Sequence, residues 1–312
     1  MTRKKYLRSQ CPSTERVDQL TPLGVGVLYN PSLDAFLDVH ADGCDYVEMI
    51  PDMAWTDHGR HATPRFTELG RWRAAAERIA DRMPLVAHDI GLSLGTEGWA
   101  DTAYLAQLAA WQQRFQPIWH SDHLSLGRVH GDGGEPQGAG GALPVPYDEE
   151  LLTMVGARID EVHARSPLPF LIESNGYFAT LPDQDMSEPQ FLNALAERTG
   201  CGLLLDVHNL YAKARNHGFD PFAFIDALDL ERVIEIHVAG GSELGDKYTD
   251  RHSGPCPEVW RLLDYVTPRA PRLCGITFEF HDSYFPALGD SGVRAQLDRA
   301  RQAWHTSGHV RP

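Results

Sequence analysis

The fold class that the 312-residue chain predicts is α/β, a single (β/α)₈ barrel, and three observations predict it. Eight short apolar runs recur along the chain, helix-like stretches separate them, and nearly every run carries, at or beside its end, groups that can bind metal or move protons. The runs lie at 24–29, 46–50, 85–88, 118–123, 170–173, 203–207, 233–238 and 275–280. They are apolar on both faces, as parallel strands covered on both sides must be. The stretches 71–82, 102–115, 149–165, 188–198, 221–228, 257–265 and 292–305 carry the spacing of helices that bury one face, and 31–38 supplies a first short helix. Strand followed by helix, eight times over, is the pattern of a TIM barrel, which takes roughly 250 residues.

One domain over 21–312 accommodates all of these elements, with 1–20 left as a flexible N-terminal extension. That extension is polar, with Arg3, Lys4, Lys5 and Arg8, and it lacks the apolar core of a secretory signal, so a cytoplasmic protein is expected. No run of about 18 apolar residues is present, so no membrane span is expected. The segment GDGGEPQGAGGALPVP at 131–146 is the one low-complexity stretch, and its glycines predict a long loop after the fourth strand. Such a loop is either a lid over a site or a simple insertion.

Hydrophobic residues make up 42% and charged residues 23% of the chain, which is ordinary for a globular protein. The formal net charge of −15 argues against nucleic acid as a partner, because phosphate backbones call for clustered Lys and Arg. Bound cations would offset part of that excess. Cys11, Cys44, Cys201, Cys256 and Cys274 form no CxxC pair and read as small buried residues of a reducing compartment.

Position is the informative property of the polar residues. The second run carries Glu48 and continues to Asp52; the third ends at His88, the fourth at Ser121-Asp122-His123, the fifth at Glu173-Ser174-Asn175 and the sixth at Asp206-Val207-His208-Asn209. The seventh contains Glu235-Ile236-His237, Asp250-Arg251-His252 follows it, and the eighth ends Glu279-Phe280-His281-Asp282. Taken singly, a histidine near a strand end is a hydrogen-bonded structural residue, and an aspartate beside a loop is a cap or turn former. Taken together at the C-terminal strand ends, these groups converge on one basin, where barrel active sites form. Burying so many like charges without cations is costly. Carboxylate and imidazole without thiolate suit iron, manganese or zinc.

The order of these groups resembles that of metal-dependent barrels of the xylose-isomerase and AP-endonuclease type. The segments GVGVLYNP at 24–31, YVEMIPD at 46–52, HDIGLSLG at 88–95, SDHLSLG at 121–127, LIESNGYF at 171–178, LLLDVHNLYAKARNHGFDP at 203–221, EIHVAGG at 235–241, DRHSGPCPEVWRLL at 250–263 and FEFHD at 278–282 carry a closer resemblance. Together they resemble the multinuclear non-haem iron-dependent oxidative enzymes, the group that includes the methanobactin-biosynthesis oxidase. The resemblance implies a (β/α)₈ barrel holding two or three iron ions, mixed Fe(II)/Fe(III), with dioxygen as co-substrate. It implies a ribosomally made precursor peptide as substrate, modified at cysteine or near its C-terminus. It also implies a small partner protein that grips the leader peptide.

The metal ligands it implies are His88, Asp122, Glu173, Asp206, Asn209, His237, Asp250, His252 and Glu279. Asn209 has a second reading, as a hydrogen-bond donor to a ligating carboxylate. His123, Asn175 and His208 are candidate catalytic groups, placed to hydrogen-bond ligands or move protons, with a purely structural role as the other reading of each. The chain departs from the family pattern at IPDMAW (50–55), where Asp52 either replaces a glutamate or binds no metal, at His208, and at FEFHD. Two other readings stand beside the oxidase: a zinc or manganese sugar isomerase or phosphodiester hydrolase on the same barrel, and a metal-free barrel that only binds a leader peptide.

Overall fold

The computed structural model describes residues 17–96, 101–130, 136–176, 179–182, 184–245, 247–306 and 308, with the backbone alone at 128–130, 136–142 and 250. Eight strands form its centre: β1 (Gly24–Leu28), β2 (Tyr46–Met49), β3 (Leu85–Asp89), β4 (His120–Leu124), β5 (Phe170–Ser174), β6 (Gly202–Asp206), β7 (Val233–Val238) and β8 (Gly275–Phe278). They pair in parallel, each with its sequence neighbours, and β8 closes on β1. Every run predicted as a strand is a barrel strand, with ends displaced by at most two residues.

The helices α1 (Asp34–Val39), α2 (Gly70–Ala80), α3 (Thr102–Phe115), α4 (Glu149–Arg165), α5 (Glu188–Thr199), α6 (Val207–His217), α7 (Pro221–Ala227), α8 (Pro257–Val266) and α9 (Phe285–Thr306) connect them. Short polar side chains start several of these helices by accepting backbone amides: Asp101 for α3, Asp148 for α4, Asp206 for α6 and Asp220 for α7. Ser187 and Gln190 form a reciprocal capping box on α5, and Gly200 ends that helix in the left-handed region. No helix among the described residues is long and apolar enough to cross a membrane.

The structure differs from the sequence expectation in four places. Helix α6 begins directly at the end of β6, where His208 and Asn209 read as the tail of a strand. Three short antiparallel hairpins rise from strand ends: Trp55–Asp57 with Phe66–Glu68, Leu126–His130 with Pro136–Leu143, and Gly240–Leu244 with Lys247–Ser253. The second corrects the expected loop over 131–146: 131–135 lie outside the described residues, but Pro136–Leu143 is a strand. Glycine weakens a strand without removing the backbone donor and acceptor on which pairing depends. The expected extension 1–20 also ends earlier. Residues 1–16 lie outside the described residues, while Val17 is buried and Arg272 pairs with Asp18 and donates to the Val17 carbonyl at 3.2 Å.

Two apolar clusters follow from the period of two along each strand. The larger lies between the outward strand faces and the helices. The smaller fills the barrel's lower interior with Tyr46, Val86, Trp119, Leu171, Leu204 and Ile234, against which Val17 packs. Gly26 and Gly275 make room there, since a Cβ on either would lie 2.6 or 2.5 Å from the Tyr46 ring or its hydroxyl.

Candidate metal centre

The alternation that places Tyr46, Val86, Leu171 and Leu204 on the floor turns the residue two positions later into the upper barrel: Glu48, His88, Glu173 and Asp206. On β4 the same step leads from Trp119 through Ser121 to His123, which lies opposite Glu173 in the register. On β7 a register shift is needed. Leu203 pairs with Val233 but Leu204 with Glu235, so Ile234 stays on the floor while Glu235 and His237 face inward above it. Between floor and mouth, Glu235 is held by Trp119 Nε1 at 2.6 Å, Thr277 Oγ1 at 2.7 Å and Tyr46 Oη at 3.2 Å.

Three overlapping groups of metal-capable atoms sit above this layer: His88, His123 and Glu173; Glu173, Asp206 and His237; and Glu48, His88 and His237, with ligand atoms within 4.8 Å of one another in each. Glu173 Oε2 lies 3.2 Å from His123 Nε2 and 3.4 Å from His88 Nε2. The Ser121 hydroxyl donates to the Ala87 carbonyl at 3.3 Å, so it accepts from His88 Nδ1 at 2.8 Å and leaves His88 Nε2 with its lone pair toward Glu173. Burial holds His88 well below the usual imidazole range and brings His123 down to about 4, so both are neutral donors at neutral pH.

Asp206 caps α6 with one oxygen, which accepts from His208 N at 2.7 Å and Asn209 N at 2.9 Å; among the described residues no hydrogen-bond donor reaches its other oxygen. Asn209 donates its amide to Glu173 Oε1 at 3.3 Å, which is the second of its two readings. Burial pushes Glu173 and Asp206 up. Burial also pulls His237 down, but Glu48, Glu279 and Glu173 outweigh it and hold the ring well above its usual range. On the mouth side, Glu279 lies 2.8 Å from His252 Nε2 and 3.4 Å from His237 Nδ1, and these rings hold its carboxyl well below the usual range against the effect of burial. His252 is a third exposed and left-handed, with φ 45°, an uncommon conformation for a residue with a Cβ.

The remaining predicted site residues lie elsewhere. Asp122 faces out of the barrel, and its two oxygens accept from Leu92 N at 2.9 Å and His123 N at 2.6 Å; the structure brings His123, not Asp122, into the cluster. Asn175 donates to the Leu124 carbonyl at 3.4 Å. His208 is buried beside Tyr248, with ring centroids 5.8 Å apart. Asp52 accepts from Ile90 N at 3.0 Å and Tyr104 Oη at 2.8 Å, which occupies the carboxylate that replaces a family glutamate. The Asp250 side chain lies outside the described residues. Glu48 and Glu235 are absent from the predicted ligand set, although stepping by two along runs two and seven reaches both.

The donor set fits a metal: carboxylate oxygens and imidazole nitrogens, no thiolate, and buried oxygens of Glu48, Glu173 and Asp206 that no hydrogen-bond donor satisfies. Fold and site together define a (β/α)₈ barrel with a candidate metal centre at its C-terminal strand ends. Solved barrels share the fold: D-allulose 3-epimerase from Methylomonas sp. (TM-score 0.55, 11% identity, 92% of this chain and 96% of that one) and endonuclease IV from Thermus thermophilus (TM-score 0.51, 19% identity, 91% and 99%).

Within that class the chain belongs to the family of RiPP precursor modification enzymes MbnB/TglH/ChrH, which it matches over residues 23–305. A UPF0276 protein of Caulobacter vibrioides is 33% identical over 282 residues, covering 90% of this chain and 93% of that protein. One of Neisseria meningitidis serogroup B is 34% identical over 233 residues, covering 73% and 81%.

Proposed function

We propose that the chain is an iron-dependent oxidoreductase of the cytoplasm that uses dioxygen to modify a ribosomally made precursor peptide, at cysteine or near the peptide's C-terminus. The observation that supports this reading most is the coincidence of the family match over 23–305 with a thiolate-free cluster of carboxylates and imidazoles at the strand ends. His88, His123, Glu173, Asp206 and His237 would hold two iron ions, with Glu173 common to both groups. Asp250, His252 and Glu279 are the candidates for a third, on the mouth side. Mixed Fe(II)/Fe(III) ions, when bound, supply Lewis acidity toward a substrate thiolate and one-electron chemistry with dioxygen.

The chain's own residues account for the setting. Ser121 fixes the tautomer of His88, and Asn209 orients Glu173. The apolar floor excludes water from below. His252, a third exposed with its Nε2 2.8 Å from Glu279, lies on the solvent side of the centre. A small leader-peptide-binding protein belongs to this reading as partner.

The test is anaerobic reconstitution with Fe(II), followed by exposure to oxygen with and without the precursor encoded beside the gene. Oxygen uptake that needs the peptide, together with a mass change in it, is expected. Full activity with zinc or manganese, or without oxygen, would sink the oxidase.

A further inference from the structure

Two buried glutamates face His237 from below, and they differ in one respect. Glu235 Oε1, 3.9 Å from His237 Nε2, belongs to a carboxylate with three donors from Trp119, Tyr46 and Thr277. Glu48 Oε2 comes closer, to 2.9 Å, yet neither Glu48 oxygen receives a hydrogen bond, and the residue is 0% exposed. The short approach to His237 is lateral, not along a ring N–H. Two donor atoms at this separation, with no N–H directed between them, are spaced as neighbouring ligands of one ion are.

Placement supports the same conclusion. Glu48 pairs with Leu28 on one side and Val86 on the other, so it sits two residues above Tyr46 on the inward face. It is within ligand reach of both His88 and His237, which otherwise belong to different groups. One imidazole nitrogen serves one ion, whereas a carboxylate has two oxygens and can serve two. We infer that Glu48 is a metal ligand of this centre, closing it on the floor side between His88 and His237. The inference rests on the metal-centre reading above and adds a carboxylate to it.

Titration of the metal-free protein with Co(II), followed by visible absorption, tests the point without turnover. Glu48→Gln keeps shape and hydrogen-bonding capacity but removes the charged donor, and Glu48→Met keeps volume alone; either variant, if folded by near-ultraviolet circular dichroism, decides. A glutamate that merely orients a ligand would cost about 10–100-fold in affinity and be rescued by glutamine. The ligand assignment expects both variants to lose more than ~100-fold in affinity for one Co(II), or that equivalent altogether, with altered visible bands. Wild-type affinity and spectrum in Glu48→Gln would overturn it. Failure of the wild-type protein to take up Co(II) would overturn the metal centre itself, and this assignment with it.

Discussion

Strands β3 and β4 carry histidine on both faces and put it to different uses. Inside the barrel, His88 and His123 turn neutral Nε2 atoms toward Glu173, and no hydrogen-bond donor satisfies Glu173 Oε2. Outside, His120 Nδ1 lies 2.8 Å from Asp89 Oδ2, and burial pushes the histidine down to about 3 and the aspartate up, so the pair carries no net charge. Asp122, one residue from His123, spends both oxygens on backbone amides, Leu92 N in the loop after β3 and His123 N in its own strand. A histidine or aspartate at a strand end is therefore not a ligand by type; the face it occupies decides.

The comparison breaks most readily at its centre. Glu173 is common to two of the three groups, so Glu173→Ala is expected to lose bound iron and peptide modification together, read by metal analysis and mass spectrometry. Retention of the full iron content would show that the inner face does not hold metal. A sharper contrast sets His123→Ala against Asp122→Asn. The first is expected to weaken metal binding by more than ~100-fold, the second to keep the metal and cost about 1–3 kcal/mol in stability through its buried amide contacts. Metal lost from Asp122→Asn and kept by His123→Ala would reverse the assignment of the two faces. Ser121→Ala removes only the hydroxyl that orients His88, and a drop of about 10–100-fold in metal affinity is expected with little change in fold.

The smallest effect is a slope with pH. Burial and the neighbouring Glu235 push Glu48 up to about 8, and burial raises Glu173, so the native state keeps protons that the unfolded chain has released above the ordinary glutamate range. His88 and His123, which burial pushes down, act in the opposite sense only below ~6.5. Metal-free protein should accordingly lose stability as pH rises from about 6.5 to about 8. Bound metal, in place of those protons, should flatten the slope. Thermal unfolding across that range, with and without metal, measures it; a metal-free protein whose stability climbs with pH would contradict the buried acids.

Much of this was legible before any coordinates. Eight apolar runs, nearly all followed by polar groups, are enough to predict a barrel and its mouth, because parallel strands buried on both faces leave a strong signal. The ligand set was only partly legible. Asp122 and His123 are adjacent in one run, and choosing between them needs the register against Glu173, which pairing between distant segments determines. Glu48 lies inside its run, not at its end, so it looks like part of a strand. Asp52 resembled a replacement for a family ligand, but a single contact pair, Ile90 N and Tyr104 Oη, makes it a loop fastener. The strands of the hairpins are three to eight residues long, polar or rich in glycine, and thus below the threshold of periodicity.

The packed layer of Trp119, Tyr46, Thr277 and Glu235, with Val17 pressed in beneath the apolar residues around it, has a bearing on traffic. It makes the barrel a well with a sealed bottom, not a tunnel. On the proposed reading, dioxygen, the peptide side chain and the product would all use the upper opening.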